Sequence, residues 1–293
     1  MTLPTRIIAT EFIRGLGEIV ASYDACILDL WGCLHDGVAI YPTALDCLHR
    51  LKAAGKTAII LSNAPRRVSD VEKRIAGMGI TRDLYARLFC SGEETWRAIT
   101  NQAIPELKGR GNKTFAIFGE HDRAMLTDAR LVQARPNEAD FVYAIGVETG
   151  RETVEKFEPD LRIALERGLP LICANPDLVV HRGGVEEICA GAIALRYEEM
   201  GGKVVWFGKP YPAVYNHILG DFGLDPARVL CVGDSLRTDV TGGRGIGAGT
   251  LMTVGGIHHA EILVDDRIEV NRFAELCRKR GLAPDFAIAH LRW

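Results

Sequence analysis

The chain has 293 residues, 47% hydrophobic and 25% charged, with a formal net charge of -3, a composition that excludes intrinsic disorder and fibrous repeats. No basic excess offers an electrostatic footprint for nucleic acid, and no stretch reaches the roughly 18 uninterrupted apolar residues of a membrane span. Neither nucleic acid nor a membrane is therefore an expected partner, and the length predicts two compact units or one unit with a large insert.

Residues 2–20 read as an N-terminal helix capped by Thr10, because Thr10-Glu11-Phe12-Ile13 opens an amphipathic turn. From Ala25 onward, short apolar runs rich in branched residues alternate with helix-like segments, the rhythm of β-α units around a parallel sheet. Strands are predicted at 26–30, 58–61, 114–118, 141–145, 169–174, 203–207 and 229–232. Apolar residues recur at helical spacing over 44–54, 68–78 and 212–222, and Gly55, Gly79 and Gly223 stand where helix C-caps belong. Residues 105–112 and Gly201-Gly202 read as boundaries, and the α/β rhythm between them predicts an inserted second domain. The eight cysteines form neither a CxxC pair nor a zinc-ligand spacing and read as reduced core residues, which with the absence of a signal-like N-terminus points to a cytoplasmic location.

Four stretches carry chemistry. Ile27-Leu28-Asp29-Leu30-Trp31-Gly32 delivers a carboxylate at the end of an apolar strand, where open α/β sheets bind ligands. The strand at 58–61 runs into Ser62-Asn63, and the one at 203–207 into Gly208-Lys209-Pro210, a lysine suited to an anion. Val232-Gly233-Asp234-Ser235 ends a strand in a second carboxylate, and Asp239 follows five residues on. Two carboxylates held together repel unless a cation lies near them, and hard oxygen ligands favour magnesium. Taken singly, each stretch also fits a turn, a helix cap or a solvated lysine.

In this order, the four stretches resemble the haloacid dehalogenase superfamily, and most closely its class IIA, NagD-type branch, which includes pyridoxal phosphate phosphatases. The matching features are Asp29-x-x-Gly32-x-Leu34-x-x-Gly37, Ser62-Asn63, Asn175-Pro176-Asp177, Gly208-Lys209-Pro210-x-Pro212 and Gly233-Asp234-Ser235-x-x-Thr238-Asp239. The resemblance implies an α/β fold with a Rossmann-like parallel-sheet core, residues 1–104 and 203–293, interrupted by an α/β cap at 105–202. It implies a magnesium-dependent phosphatase of small phosphorylated metabolites, with Asp29 as nucleophile. Asp29, Asp234 and the backbone carbonyl of Trp31 would hold the metal, with Asp239 supporting the metal or the lysine from outside the ligand set. Ser62 and Lys209 would hold phosphoryl oxygens, Lys209 would also restrain Asp29, and Asn63 would orient phosphate or nucleophile. A homodimer is a further expectation of the resemblance.

One position departs from the pattern. Phosphatases of the superfamily usually carry a second Asp two residues after the nucleophile, as general acid, and here Trp31 stands there. Indole cannot transfer a proton at useful pH. His35 or Asp36 could replace the acid, the substrate could carry a good leaving group, or the electrophile could be other than phosphorus, since dehalogenases of the superfamily carry an aromatic residue at this place. A phospholigand-binding relative without turnover is the non-enzymatic alternative, and the retained Asp29 argues against it. In the cap, Asn175, Asp177 and Gly191 fall where this branch builds its substrate pocket, with His181, Arg182 and Glu187 as candidate specificity residues. The glycine-rich run 242–249 lacks the dinucleotide register and reads as a helix followed by a turn into a strand at 250–254. His258-His259 reads as a loop near the rim of the core.

Overall fold

The structure is a computed structural model that describes residues 10–119, 122–149, 151–182 and 185–293, with the backbone alone for His181 and Arg182. The fold is mixed α/β. Its contacts divide it into two units. The first takes the chain up to Leu61, Arg74–Leu88 and Tyr215–Trp293, and the second takes Ser62–Lys73 and Phe89–Val214.

The larger sheet has seven strands in the order Glu11–Phe12, Phe286–Ile288, Gly249–Thr253, Val229–Gly233, Ala25–Leu28, Thr57–Ser62 and Arg87–Cys90. Its pairs are parallel from Glu11–Phe12 through Thr57–Ser62. All four residues of Ala25–Leu28 are buried, as expected of a central parallel strand covered on both faces. The strand ends at Leu28, so Asp29 lies just past its C-terminal end. Asp29 N–H still donates to Val232 O at 2.8 Å, which ties the two acidic strand ends together.

Local signals explain the helices well. Pro42 starts Pro42–Ala53 at a position that needs no N–H donor, and Gly55 beyond its end has φ +66°. Gly79 and Gly223 take left-handed φ values of 101° and 61° after Val68–Gly77 and Pro212–Phe222. The glycine-rich run forms the helix Thr241–Gly245 and then the strand Gly249–Thr253.

The expected N-terminal helix is overturned for the part described, since residues 2–9 lie outside the described residues. Glu11–Phe12 is a strand, paired in parallel with Phe286 and Ala287, and Thr10 Oγ1 donates to Pro284 O at 2.8 Å instead of capping a helix. The edge of the sheet captures a segment whose own periodicity is weak.

In the second unit a five-stranded, all-parallel sheet runs in the order Val204–Trp206, Leu171–Cys173, Phe141–Ala144, Lys113–Ile117 and Val132–Gln133. Val142 and Ala144 pack with Leu161 and Ile193 on one face, while Phe141 and Tyr143 pack with Met125 and Leu126 on the other. This period-2 alternation, with both faces covered, accounts for the uniformly apolar runs in the sequence. Val204–Trp206, whose sequence reads as re-entry into the core, pairs here with Leu171–Cys173. Val179–Arg182 and Val185–Ile188 form an antiparallel hairpin; Gly183 and Gly184 between them lie outside the described residues, as do the side chains of His181 and Arg182.

Candidate active site

In the first unit, Asp29, Asp234 and Asp239 bring one carboxylate oxygen each to within 4.8 Å of one another. All three are buried, at 8%, 9% and 4% exposure. Asp29 and Asp234 follow adjacent parallel strands. Asp239 is returned to them by a π-helical turn, Leu236–Val240, that begins directly after Ser235. The wider turn, with its extra residue, puts Asp239 back over the start of its own segment: its carboxylate accepts from Ser235 N–H and Thr238 Oγ1, both at 3.3 Å.

Three glycines make room for these acids. A Cβ on Gly32 or on Gly256 would overlap the Asp234 carboxylate, and one on Gly233 would overlap that of Asp239. Gly32 in addition has φ +69°, a conformation that favours glycine. Asp234 Oδ2 accepts the Ile257 N–H at 2.8 Å. Three close, buried carboxylates repel unless a cation offsets them, and an all-oxygen donor set suits a hard divalent ion, so these residues fit magnesium.

In the second unit, Ser62 and Asn63 follow Leu61 at the end of their strand, 1% and 2% exposed. Ser62 Oγ accepts the Ala64 N–H at 3.2 Å. Asn63 Oδ1 accepts the Lys209 N–H at 2.8 Å, while its Nδ2 donates to Lys209 O at 3.1 Å and to Asp177 Oδ1 at 2.9 Å. The carboxamide is thus engaged with the protein's own groups. Lys209 is 3% exposed and follows Gly208, whose φ is +92° and whose missing Cβ would overlap Asn63 and Ser91. The Asn175-Pro176-Asp177 segment is a tight turn, with Asp177 N–H donating to Asn175 Oδ1 at 3.1 Å. Gly191 N–H donates to Asp177 O at 3.1 Å, and a Cβ there would overlap the carbonyls of Pro176 and Asp177. Glu187 lies in the hairpin strand Val185–Ile188, half-buried.

A family profile described as haloacid dehalogenase-like hydrolase matches residues 26–157, and a second, for HAD-like hydrolases, matches 206–276. Chronophin of Rattus norvegicus is 30% identical over 260 residues, covering 86% of this chain and 83% of that protein. The chain belongs to the haloacid dehalogenase-like hydrolases. Glycerol-3-phosphate phosphatase of Gallus gallus is 24% identical over 296 residues, covering 92% of this chain and 90% of that one. A solved haloacid dehalogenase-like hydrolase of Brucella suis superposes with a TM-score of 0.80 at 28% identity, covering 96% of this chain and all of that one. This member of the family is a phosphatase-like hydrolase.

Against that background the surroundings of Trp31 matter. Its ring packs edge-on against His35, centroids 5.1 Å apart, and the Arg74 guanidinium lies 5.5 Å from the ring centroid. A Cβ on Gly37 would overlap the indole, so that glycine, with φ +90°, makes room for it. Neither Asp36 nor His35 is poised as a general acid. Asp36 is exposed and caps its own turn, accepting the Val38 and Ala39 N–H groups at 2.8 Å each, and these bonds hold its carboxyl below the usual carboxylate range. His35 is 1% exposed; burial and then Arg74 push its imidazole down to about 4, so it is neutral near pH 7, with Nδ1 accepting the Gly37 N–H at 2.9 Å. His258 pairs with Glu261 at 2.8 Å, and among the described residues the three aspartates are the only cluster of His, Cys, Asp and Glu arranged to hold a metal.

Sequence reasoning passes over two contributors to this haloacid dehalogenase-like site. Gly256 and the Ile257 N–H confine Asp234, and the Gly255-Gly256 pair after a strand was their only signal. Tyr215, buried under the cluster, has a hydroxyl without a hydrogen-bond partner among the described residues. Burial and then Cys231, Asp239 and Asp29 raise its pKa, so the phenol stays neutral. Nothing in the local sequence marks it.

Proposed function

We propose that this hydrolase is a magnesium-dependent phosphatase of small phosphorylated metabolites, working through an aspartyl phosphate on Asp29. The observation that carries the reading is the buried trio of Asp29, Asp234 and Asp239, with carboxylate oxygens within 4.8 Å of one another. Asp29, Asp234 and the Trp31 backbone carbonyl would hold the ion, and Asp239 would brace the turn that presents Asp234. When bound, magnesium supplies the positive charge that lets an anionic phosphoryl group approach a carboxylate.

Asp29 attacks phosphorus and the ester oxygen departs with its electron pair. By the resemblance, Ser62 and Lys209 would hold the phosphoryl oxygens. Water then attacks the aspartyl phosphate, releasing phosphate and restoring Asp29. With Trp31 in place of the usual acid, and with Asp36 and His35 engaged as described, no side chain of this loop is poised to protonate the leaving oxygen. General acid help is typically worth about 10²- to 10⁴-fold, so the favoured substrates are those whose leaving group needs no proton, acyl phosphates and aryl phosphates before alkyl esters. Residues 105–202 act as the inserted cap, and Asn175, Asp177 and Gly191 shape its substrate side. The eight cysteines, all buried and none in a disulfide, support a reducing cytoplasm, and a homodimer follows the resemblance to the class IIA branch.

The test is a panel of alkyl, aryl and acyl phosphates with magnesium, assayed for phosphate release by wild type and by Asp29→Asn. Release from activated phosphates that disappears in the variant supports the proposal. Equal inertness of both proteins on every substrate, with phosphorylated metabolites still bound, removes the hydrolase reading.

A further inference from the structure

Lys209 sits just beyond the end of a strand. Its strand ends at Trp206, Gly208 turns through a left-handed conformation, and Pro210 follows without an N–H. Residue 209 lies beyond its strand, where its N–H and C=O need the two hydrogen bonds that a ladder would give. Asn63 supplies them instead: its side-chain carboxamide accepts from Lys209 N–H and donates to Lys209 O, the same pair a neighbouring peptide group would offer.

A carboxamide is nearly symmetric in shape, and turning it over exchanges oxygen for nitrogen. Here a turned amide would set NH₂ against the Lys209 N–H and oxygen against the Lys209 carbonyl, two repulsive contacts in a site where Asn63 is 2% exposed. What holds the correct orientation on the far side is Asp177, whose Oδ1 takes the second Nδ2 hydrogen at 2.9 Å. Asp177 is in turn held by its own turn: its N–H goes to Asn175 Oδ1, and its carbonyl receives the N–H of Gly191 at the start of the helix Ala190–Glu199.

We infer that Asp177 is a positioning residue for Lys209, acting through the Asn63 carboxamide, so that the Asn175-Pro176-Asp177 turn governs turnover by fixing the lysine. The inference rests on the proposed role of Lys209 as a phosphoryl-oxygen ligand. The chain of contacts is Asp177 Oδ1 to Asn63 Nδ2, and Asn63 to both backbone polar groups of Lys209. Misplacing a group by about 1 Å can lower turnover by as much as 10²-fold, so loosening the Lys209 backbone should act on kcat more than on KM.

The experiment compares Asp177→Ala, Asp177→Asn, Asn63→Ala, the Asp177→Ala/Asn63→Ala double variant and Lys209→Met, with p-nitrophenyl phosphate and magnesium, alongside melting temperatures and a crystal structure of Asp177→Ala. Expected is a fall in kcat of about 10- to 100-fold in Asp177→Ala with KM within about twofold. Asp177→Asn, which keeps an acceptor oxygen, should recover most of it, and the double variant should be no worse than Asn63→Ala alone. The crystal structure should show the Asn63 amide turned or the Lys209 carbonyl displaced. Unchanged Asn63 and Lys209 positions, additive losses, or a loss in KM alone would overturn the inference. If Lys209→Met turns over like wild type, the role of the lysine itself fails and the inference with it. If Lys209→Met is inactive while Asp177→Ala is fully active, only the inference fails.

Discussion

The α-carbon of Gly256 lies against the Asp234 carboxylate so closely that a methyl group there would overlap it. Gly256→Ala keeps every charge and changes only the space in which Asp234 rests, and its backbone φ lies outside the left-handed range. The expected result is an about 10- to 100-fold weaker requirement-setting affinity for magnesium, read as a higher magnesium concentration for half-maximal activity, with a small change in melting temperature.

The proposed magnesium can be tested by its removal. Chelation is expected to abolish phosphate release and added magnesium to restore it. At magnesium about 100 times its Kd, binding should stabilise the fold by about 2.7 kcal/mol, seen as a rise in melting temperature. Asp234→Asn should lose both the activity and the metal-dependent rise. A melting temperature insensitive to magnesium in wild type would tell against a metal at the trio.

Trp31→Asp places a carboxyl two residues after Asp29 and so tests the proposed lack of a general acid. The expected outcome is a gain for alkyl phosphates relative to p-nitrophenyl phosphate, up to about 10²-fold in kcat/KM. Stability should fall by about 0.5 to 3 kcal/mol, because the indole's contacts with His35 and Arg74 are lost. An unchanged ratio between the two substrate classes would mean that the leaving group is protonated from elsewhere.

Glu93, 9% exposed, binds Arg67 Nε at 2.7 Å, and the Arg67 guanidinium in turn lies 3.6 Å from the centroid of the Trp96 ring. Burial raises the Glu93 pKa, but the Arg67 hydrogen bond and the Val68 N–H outweigh it, and the net shift is downward. A lowered folded-state pKa gives stability that is present above the unfolded value, roughly 4.3, and lost as pH falls through the folded one. Glu93→Gln is expected to melt earlier near neutral pH by about 1 to 3 kcal/mol, and the gap between variant and wild type should close as pH is lowered below 4. A gap that persists at low pH would contradict the assignment.

Burial pushes the thiols of Cys26, Cys47 and Cys90 up to about 12, and all eight cysteines are buried. A thiol-reactive dye should therefore label none of them rapidly in the native protein and all eight in denaturant. Fast native labelling would mean local opening.

Legibility in the sequence followed locality. The eight expected strands all exist, with ends shifted by up to two residues, because apolar runs bounded by turns are read where they lie. Gly55, Gly79 and Gly223 mark helix ends for the same reason. Glu11–Phe12, Arg87–Cys90 and Phe286–Ile288 went unread, since such short segments become strands through their neighbours in the sheet. At the site, Asp29 and Asp234 announce themselves at strand ends, whereas the clamp of Asn63 on Lys209 joins residues 146 positions apart and leaves no local mark. Arg74 against Trp31 and Gly256 against Asp234 are equally silent.

The place of Ala25–Leu28 in the sheet has a consequence for how the protein is made. One of its partners, Thr57–Ser62, leaves the ribosome soon after it, but Cys26 waits for Leu230, 204 residues later, before its other edge is covered. Through most of synthesis the strand that leads into Asp29 therefore exposes an open edge of unpaired backbone groups between apolar side chains, the kind of surface that nascent chains lose to aggregation unless a chaperone shields it. Chaperone demand during translation, and sensitivity to truncation anywhere before residue 233, are built into that strand order.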